Sequence, residues 1–287
     1  MAHFREYNRK IASLRSMARI TRAMRMVSAG HLRRVQARLA TARAYEAEVE
    51  AVRRRTGGGS AAPHGPAGSG GNLLLVVISS DRGLCGGFNH QLVRSVGAWL
   101  EREAGRWNLV RATFVGRRAW QGLRRQVEVR ALHETVGRVP SLEDATRLGL
   151  ECTALFEAGN YGRVMLARNA YLGGIRSESR IETLLPVAPP ADAGGPAAAD
   201  AEAALVEGDR ADVARRLGAR AVIARLYRAW AESAVAEHAA RIAAMESASH
   251  NIDELVRDYT LKRNAARQGA ITRDLNEVVS SAESLAG

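Results

Sequence analysis

Small and apolar residues recur three and four positions apart along the first 55 residues, which is the spacing of one face of a long helix. The members of this N-terminal stripe are Tyr7, Ile11, Leu14, Ala18, Met24, Val27, Leu32, Val35, Leu39, Ala42, Val49 and Val52. No proline interrupts the stretch, and Gly30 is its single interior glycine. At a rise of about 1.5 Å per residue, residues 3–55 predict a helix ~80 Å long, which exceeds the width of a small domain.

A C-terminal stripe with similar spacing lies within a predicted helix over residues 211–287. Its members are Met245, Ala248, Ile252, Leu255, Tyr259, Ile271, Leu275, Val278, Ala282 and Leu285. Each stripe is too narrow for burial in a globular core, so we expect the two helices to pair as a long antiparallel coiled coil. Because the repeat is shorter than about 3.6 residues, the coiled coil is predicted to be left-handed. Pairing of each helix with a second copy of the chain is the alternative.

The sequence between the two helices alternates strands with short helices, which is typical of an α/β domain. Predicted strands cover Leu73–Ser80, Leu109–Val115, Val127–Leu132, Val164–Leu172 and Ser179–Val187. Predicted helices cover Asn89–Gly105 and Arg117–Arg125, and another begins after Ser141, whose hydroxyl suits an N-cap. The fold class is therefore α/β: the coiled coil joined to a central Rossmann-like domain, with a mostly parallel sheet that ends in an antiparallel pair.

Two segments rich in glycine, proline or alanine separate these parts and suit flexible connections. The predicted organisation is an N-terminal coiled-coil helix (1–56), a flexible linker (57–72), the central α/β domain (73–187), a loop (188–210) and the C-terminal coiled-coil helix (211–287).

The net charge of +12 is concentrated at the N-terminus, where residues 1–55 hold 14 basic and 4 acidic side chains. Between Tyr7 and Tyr45 there are ten basic residues and no Asp or Glu. A solvated helix normally mixes both signs, so this excess predicts a partner surface of opposite charge. Nucleic acid is the alternative partner, although the helix has few aromatic residues for stacking and no known reader motif.

The glycine loop, Ser79–Asn89, connects a predicted strand and helix, where phosphate-binding loops occur. It lacks the spacing of both known glycine fingerprints, which favours a tight turn with a docking role. Arg82 would lower the thiol pKa of Cys85, but a small buried residue is the preferred interpretation. Neither the histidine spacing nor the adjacent Glu143 and Asp144 forms a metal-binding or acid–base motif, so no catalytic residue, cofactor or metal is predicted.

Three separated stretches resemble the gamma subunit of F-type ATP synthases. Arg19–Gln36 is similar to the N-terminal helix signature of that family, and Ile78–Asn89 is similar to its loop after the first domain strand. Tyr227–Leu255, followed by Asn264–Val279, resembles its C-terminal helix signature. The resemblance implies a central rotor shaft that couples ion flow to ATP synthesis or hydrolysis on the beta subunits without being catalytic itself.

The resemblance also implies the partners. The coiled coil would lie inside the ring of alpha and beta subunits, and the α/β domain would meet the epsilon subunit and the membrane c-ring. The complex would transport protons, or sodium in an alternative F-type ATPase, with this subunit peripheral on the cytoplasmic face of the inner membrane. The implied partner contacts are Met24, Arg33, Arg34, Arg82, Cys85, Arg267, Gln268 and Thr272.

Overall fold

The computed structural model describes residues 2–56, 71–134, 139–188 and 209–286. Most of the predicted linker (57–72) and most of the predicted loop (188–210) lie outside these residues. The chain divides into two compact units, one formed by residues 1–27 with 242–287 and the other by residues 28–241.

Five strands and five α-helices follow one another along the described residues. The strands are β1 (Asn72–Ile78), β2 (Leu109–Val115), β3 (Glu128–His133), β4 (Arg163–Gly173) and β5 (Arg176–Leu185). The helices are α1 (Ala2–Arg55), α2 (Phe88–Glu103), α3 (Arg117–Leu123), α4 (Leu142–Glu157) and α5 (Arg210–Ala286), with a short 3₁₀ turn over Ala104–Arg106. Ser141 caps α4 as expected, because its side chain accepts a hydrogen bond from the Asp144 N–H.

The five strands form one sheet in the order β3-β2-β1-β4-β5. The first four strands are parallel to their neighbours, and β5 runs antiparallel to β4, which confirms the predicted sheet type. β5 begins at Arg176, earlier than predicted, because Gly173 and Gly174 close a tight hairpin with positive φ angles of 108° and 59°.

The sheet is covered on both faces. Leu74, Val76 and Ile78 of β1 belong to a buried cluster with residues of α1, α4 and α5. Leu75 and Val77, which point to the opposite face, pack with residues of α2 and α3. Burial of each such side chain stabilises the fold by about 1.5–3 kcal/mol, so this double layer is the main source of stability in the unit formed by residues 28–241.

The two terminal helices are antiparallel in each unit. In residues 28–241, the rings of His31 and His238 stack, and Arg43 pairs with Glu232 further along α1. In the other unit, Thr21 hydrogen-bonds Ser249 at 2.9 Å. The tilted rings of Tyr7 and Tyr259 lie with centroids 6.1 Å apart in the same unit. Pairing within one chain is therefore confirmed, and the left-handed supercoil stays a prediction.

The predicted stripes need two corrections. Val27 is exposed, whereas Ser28 is buried, because the buried face of α1 there continues through positions spaced three and four apart such as Ser28 and His31. The C-terminal stripe is not buried along its whole length: Ile271, Leu275 and Val278 are each more than half exposed. Tyr7, near the start of α1, lies against Tyr259, and these three positions lie further along α5 than Tyr259.

No helix in the described part of the chain has the length and hydropathy needed to cross a membrane.

Candidate functional site

Six charged side chains meet where the sheet faces the two terminal helices, in the unit formed by residues 28–241. This charge cluster consists of Arg43 and Glu46 of α1, Arg168 of β4, Glu182 of β5, and Arg228 and Glu232 of α5. The side chain of Arg168 is 2% exposed and that of Glu232 is 7% exposed. Buried charges are tolerated only when they are paired, and this cluster holds three cations and three anions.

Glu232 is the centre of the cluster. Its Oε1 accepts a hydrogen bond from Arg43 Nη2 at 3.1 Å. Its Oε2 accepts hydrogen bonds from Arg168 Nη1 at 2.5 Å and Arg228 Nη1 at 3.2 Å. Arg168 also donates from Nε to Glu182 Oε1 at 3.0 Å, and Arg228 forms an ion pair with Glu46. One carboxylate therefore joins the sheet to both terminal helices through charge-assisted bonds.

The glycine loop is held firmly against its own sheet. The Ser80 N–H and hydroxyl both donate to Asn89 Oδ1, at 3.2 and 2.9 Å. Asp81 Oδ1 accepts from the Arg117 N–H at 3.1 Å, and Ser79 Oγ accepts from the Ala119 N–H at 3.1 Å. These bonds close the first turns of α2 and α3 and hold the loop in a tight turn, whereas its docking role stays a prediction.

A glycine is required where this loop passes the end of β2. Gly116 has a φ of +94°, and a Cβ there would lie 2.3 Å from the carbonyl oxygen of Ser79. No L-residue with a side chain fits so close an approach, so Gly116 fixes how tightly the two connections pack.

The glycine loop also packs on α5. Arg241 donates to the Gly83 carbonyl at 3.4 Å and to Glu237 Oε1 at 2.6 Å. Burial raises the pKa of Glu237, although Arg241 acts in the opposite direction. The guanidinium of Arg241 thus ties the loop to α5 through the Gly83 carbonyl, and Glu237, one turn earlier on the same helix, holds the guanidinium in place.

Cys85 is 1% exposed and accepts a hydrogen bond from Asn89 Nδ2 at 3.0 Å. Burial raises the pKa of its thiol, and the cation that opposes this effect is Arg241 rather than Arg82. The expected lowering of the thiol pKa by Arg82 is therefore wrong. The side chain of Cys85 packs inside this chain with Phe88 and Ala236 and does not reach the surface.

A stacked histidine pair lies beside the loop. The rings of His31 and His238 are 5.1 Å apart and inclined by 16°. Burial, followed by the charges of Arg241, His31 and Arg34, lowers the pKa of His238 to about 4. Both rings therefore pack as neutral aromatic groups near neutral pH, because the pKa of His31 is lowered as well, first by burial.

Leu84 is an exposed apolar residue held in a left-handed conformation, with a φ of 62°. This conformation costs an L-residue roughly 1–2 kcal/mol. The loop therefore presents Leu84 outward, close in sequence to the exposed Arg82. Sequence analysis singled out Arg82 but not Leu84.

The predicted contact residues fall into two groups. Arg34 and Arg82 are both exposed, and the charges of both lower the pKa of His31; Arg33 is exposed beside Arg34 on α1. In the other unit, Met24 is half-buried, whereas Arg267, Gln268 and Thr272 are exposed within two turns of α5. There the Thr272 hydroxyl donates to the Gln268 carbonyl at 3.0 Å.

Sequence analysis missed the charge cluster, although the residues carry a signal. Arg168 interrupts the apolar run of β4, and Glu232 lies in a stretch of small and apolar residues, Ala229–Ala236. A charged residue at a position that its neighbours mark as buried requires a partner of opposite sign.

Comparison with known proteins identifies the family. The family model described as ATP synthase matches residues 3–285. The ATP synthase gamma chain of Geotalea daltonii is 32% identical over the full length of both chains. That of an Anaeromyxobacter species is 35% identical over 99% of this chain and 100% of the relative. The chain belongs to the ATP synthase gamma chain family. Gamma chains are non-catalytic, and catalysis takes place on the beta subunits.

Solved structures share the gamma chain fold. A chain of the Euglena gracilis mitochondrial ATP synthase aligns with a TM-score of 0.72 at 18% identity, over 98% of this chain and 94% of that one. A chain of the Tetrahymena thermophila mitochondrial ATP synthase central stalk and c-ring aligns with a TM-score of 0.62 at 23% identity, over 80% and 99%. The predicted combination of long terminal helices and an α/β sheet is confirmed.

Proposed function

We propose that this chain is the rotating central stalk of an F-type ATP synthase and couples ion flow to ATP synthesis or hydrolysis. The observation that carries the proposal is the charge cluster on Glu232, which joins the sheet to an antiparallel helix pair in a member of the gamma chain family. A rotor needs such a joint, because it takes up torque at one part and delivers it at another. The helix pair is the part that turns inside the ring of alpha and beta subunits, and the sheet domain meets the epsilon subunit and the c-ring.

Coupling follows from asymmetry. A helix pair has different side chains on each side, so each beta subunit in turn contacts a different surface of the shaft. Nucleotide affinity changes at a site only by the difference in contact free energy between the two states of that site. The chain thereby shifts conformational equilibria in its neighbours and takes no part in the bond chemistry.

Exposure and charge support the assignment of partner contacts. Arg33, Arg34 and Arg82 are exposed cations that suit acidic loops of the surrounding ring. Cys85 supports the same surface from inside, because its buried thiol accepts from Asn89 in the glycine loop.

The second group lies on the other unit. Arg267, Gln268 and Thr272 offer polar contacts to the beta subunits, and the half-buried Met24 offers an apolar one.

The proposed location is the cytoplasmic face of the inner membrane, where this subunit is peripheral and is held to the bilayer through the c-ring. This is supported by the bacterial relatives and by the c-ring that accompanies the Tetrahymena central stalk. Protons are the proposed coupled ion, and sodium belongs to the alternative subtype of the complex.

Reconstitution tests the function. The purified chain is expected to hydrolyse no ATP, and its addition to alpha and beta subunits of a related bacterium should restore hydrolysis with rotation of a bead attached to the sheet domain. Failure to co-assemble with these subunits would contradict the proposal.

A variant tests the contact residues in the same assay. The double change Arg267→Ala and Gln268→Ala should weaken assembly by about tenfold, or about 1.4 kcal/mol, since truncation of one important interface residue costs over about 1 kcal/mol. Arg257→Ala, another exposed arginine of α5, is the matched control and should assemble normally. Equal binding by both variants would remove these two residues from the contact set.

A further inference from the structure

We propose that Arg168 fixes the rotational position of the sheet on the helix pair, and that its bond to Glu232 passes torque between them. The proposal rests on the rotor function above and concerns one joint inside the unit formed by residues 28–241. In this unit Arg168 is a positioning residue: it acts on partners only through the helices that it holds.

The direction of the Arg168 side chain follows from strand geometry. Alternate residues of β4 point to the same face, and Val164 and Leu166 pack in the cluster that includes residues of α1 and α5. Arg168 is the next residue on that face, and its guanidinium reaches Glu232 of α5. Among the described strand residues, Arg168 is the one that forms an ion pair with a terminal helix.

Apolar packing alone is poorly suited to resist sliding between the sheet and the helices. The contact around the cluster is formed by side chains such as Val35, Leu39 and Leu226, whose attraction is non-directional. A guanidinium bonded to a carboxylate is strongly directional, and a buried one has no water ready to replace its partner. A tangential load on the sheet therefore stretches the bond from Arg168 to Glu232.

The cluster distributes this load over both helices. Glu232 belongs to α5 and is also bonded to Arg43 of α1. Arg228 of α5 adds a second connection to α1 through its ion pair with Glu46. A displacement of the sheet at Arg168 therefore pulls on both members of the helix pair together.

Arg168→Met separates this role from folding. In that variant Glu232 keeps its bonds to Arg43 and Arg228, so no buried charge is left unpaired. Glu182 loses Arg168 but is 41% exposed and can be hydrated. Methionine fills much of the space of the arginine stem with an unbranched apolar chain. Glu232→Gln would weaken three ion pairs at once and is a less specific probe.

The experiment uses the whole ATP synthase in sealed vesicles, with this chain as its gamma subunit. ATP hydrolysis, ion pumping and the torque on a bead attached to the sheet domain are measured on the same preparation. Arg168→Met should retain ATP hydrolysis but show a loss of ions pumped per ATP and a lower stall torque. Arg168→Lys, which keeps the cation but not the second bond to Glu182, should recover part of both.

Arg180→Gln is the matched control. Arg180 lies opposite Arg168 in the register of β4 with β5, but its side chain is 51% exposed and pairs with Glu178 instead. The control should pump and stall like the unmodified complex.

Several results would overturn the proposal. The proposal is wrong if Arg168→Met pumps ions and stalls at the same torque as the control. It is also wrong if neither Arg168 variant assembles, because the residue would then serve folding alone. If only Arg168→Met fails to assemble, the stall torque of Arg168→Lys tests the proposal instead. A stall torque of Arg168→Lys equal to that of the control would again overturn the proposal. Absence of rotation with the unmodified chain would instead contradict the rotor function itself.

Discussion

At the scale of single residues, His238 shows how packing lowers the pKa of a side chain. Its half-buried ring stacks on that of His31 and lies 3.3 Å from the Arg241 guanidinium, measured from Nδ1 to Nη1. A second cation in this place would be desolvated and repelled, which is why the pKa of His238 falls to about 4. Folding therefore keeps this imidazole neutral at a pH at which the unfolded chain protonates it.

This difference predicts a loss of stability in mild acid. The unfolded state binds a proton on His238 below its ordinary pKa and the folded state does not, so stability falls as pH drops from the ordinary value towards about 4. Between about pH 7 and about pH 5 the loss from this residue is about 2 kcal/mol. His238→Phe keeps an aromatic ring but has no group to protonate, so its free energy of unfolding should fall correspondingly less over that pH range.

Urea unfolding of the purified chain at both pH values measures this effect. His90→Phe is the control, since His90 is an exposed residue of α2 and is not a member of the stacked pair. An equal acid loss in the unmodified chain and in His238→Phe would show that the buried imidazole does not govern the change.

At the scale of elements, helix α5 changes character along its length. Residues Ala221–Ile223 are buried against the rest of their unit, whereas Ile271, Leu275 and Val278 are more than half exposed. An exposed stripe with regular spacing on a helix is typical of a surface that another protein covers. We therefore expect the part of α5 beyond Tyr259 to serve assembly more than folding.

We expect the double change Leu275→Ser and Val278→Ser to leave the unfolding free energy of the purified chain within about 0.5 kcal/mol, as for other exposed substitutions. The same variant should bind alpha and beta subunits more weakly, because it removes apolar area from the contact. Ile252→Ser, at a buried position of the same helix, provides the contrast and should destabilise the chain itself. A large stability loss in the double variant would show that the stripe is covered within the chain.

The sequence predicts the elements well and their long-range contacts poorly. The bounds of β2 agree fully with the prediction, because a mainly apolar segment rich in β-branched and aromatic residues is bounded by Asn108 and by Gly116. The stripes on α1 and α5 predicted antiparallel pairing, but periodicity identifies a buried face without identifying the partner of each residue. The bond between Arg43 and Glu232, 189 positions apart, and the stacking of His31 on His238 depend on three-dimensional register that no local pattern encodes.

At the scale of the whole molecule, the charge distribution matters most for association. The net charge is +12, and α1 carries ten basic residues and no acidic ones between Tyr7 and Tyr45. Such a field attracts an acidic partner before contact is made and affects the rate of encounter more than the fold.

Association with alpha and beta subunits should therefore slow by about tenfold or more when salt rises from about 0.05 M to about 0.5 M, because the field is screened over a shorter distance. Dissociation should change much less, since apolar contacts in the assembled complex are insensitive to screening. Stopped-flow measurement of both rates tests this, and an association rate independent of salt would contradict it.

The antiparallel pairing of α1 with α5 has a consequence for synthesis of the chain. The buried positions Val35, Leu39 and Ala42 pack in a cluster with Val222 and Leu226, which the ribosome adds almost two hundred residues later. At a translation rate of about 5–20 residues per second, the apolar face of α1 is synthesised roughly 10–40 seconds before the part of α5 that packs on it. During that interval the apolar face of α1 is exposed, which favours aggregation of the nascent chain.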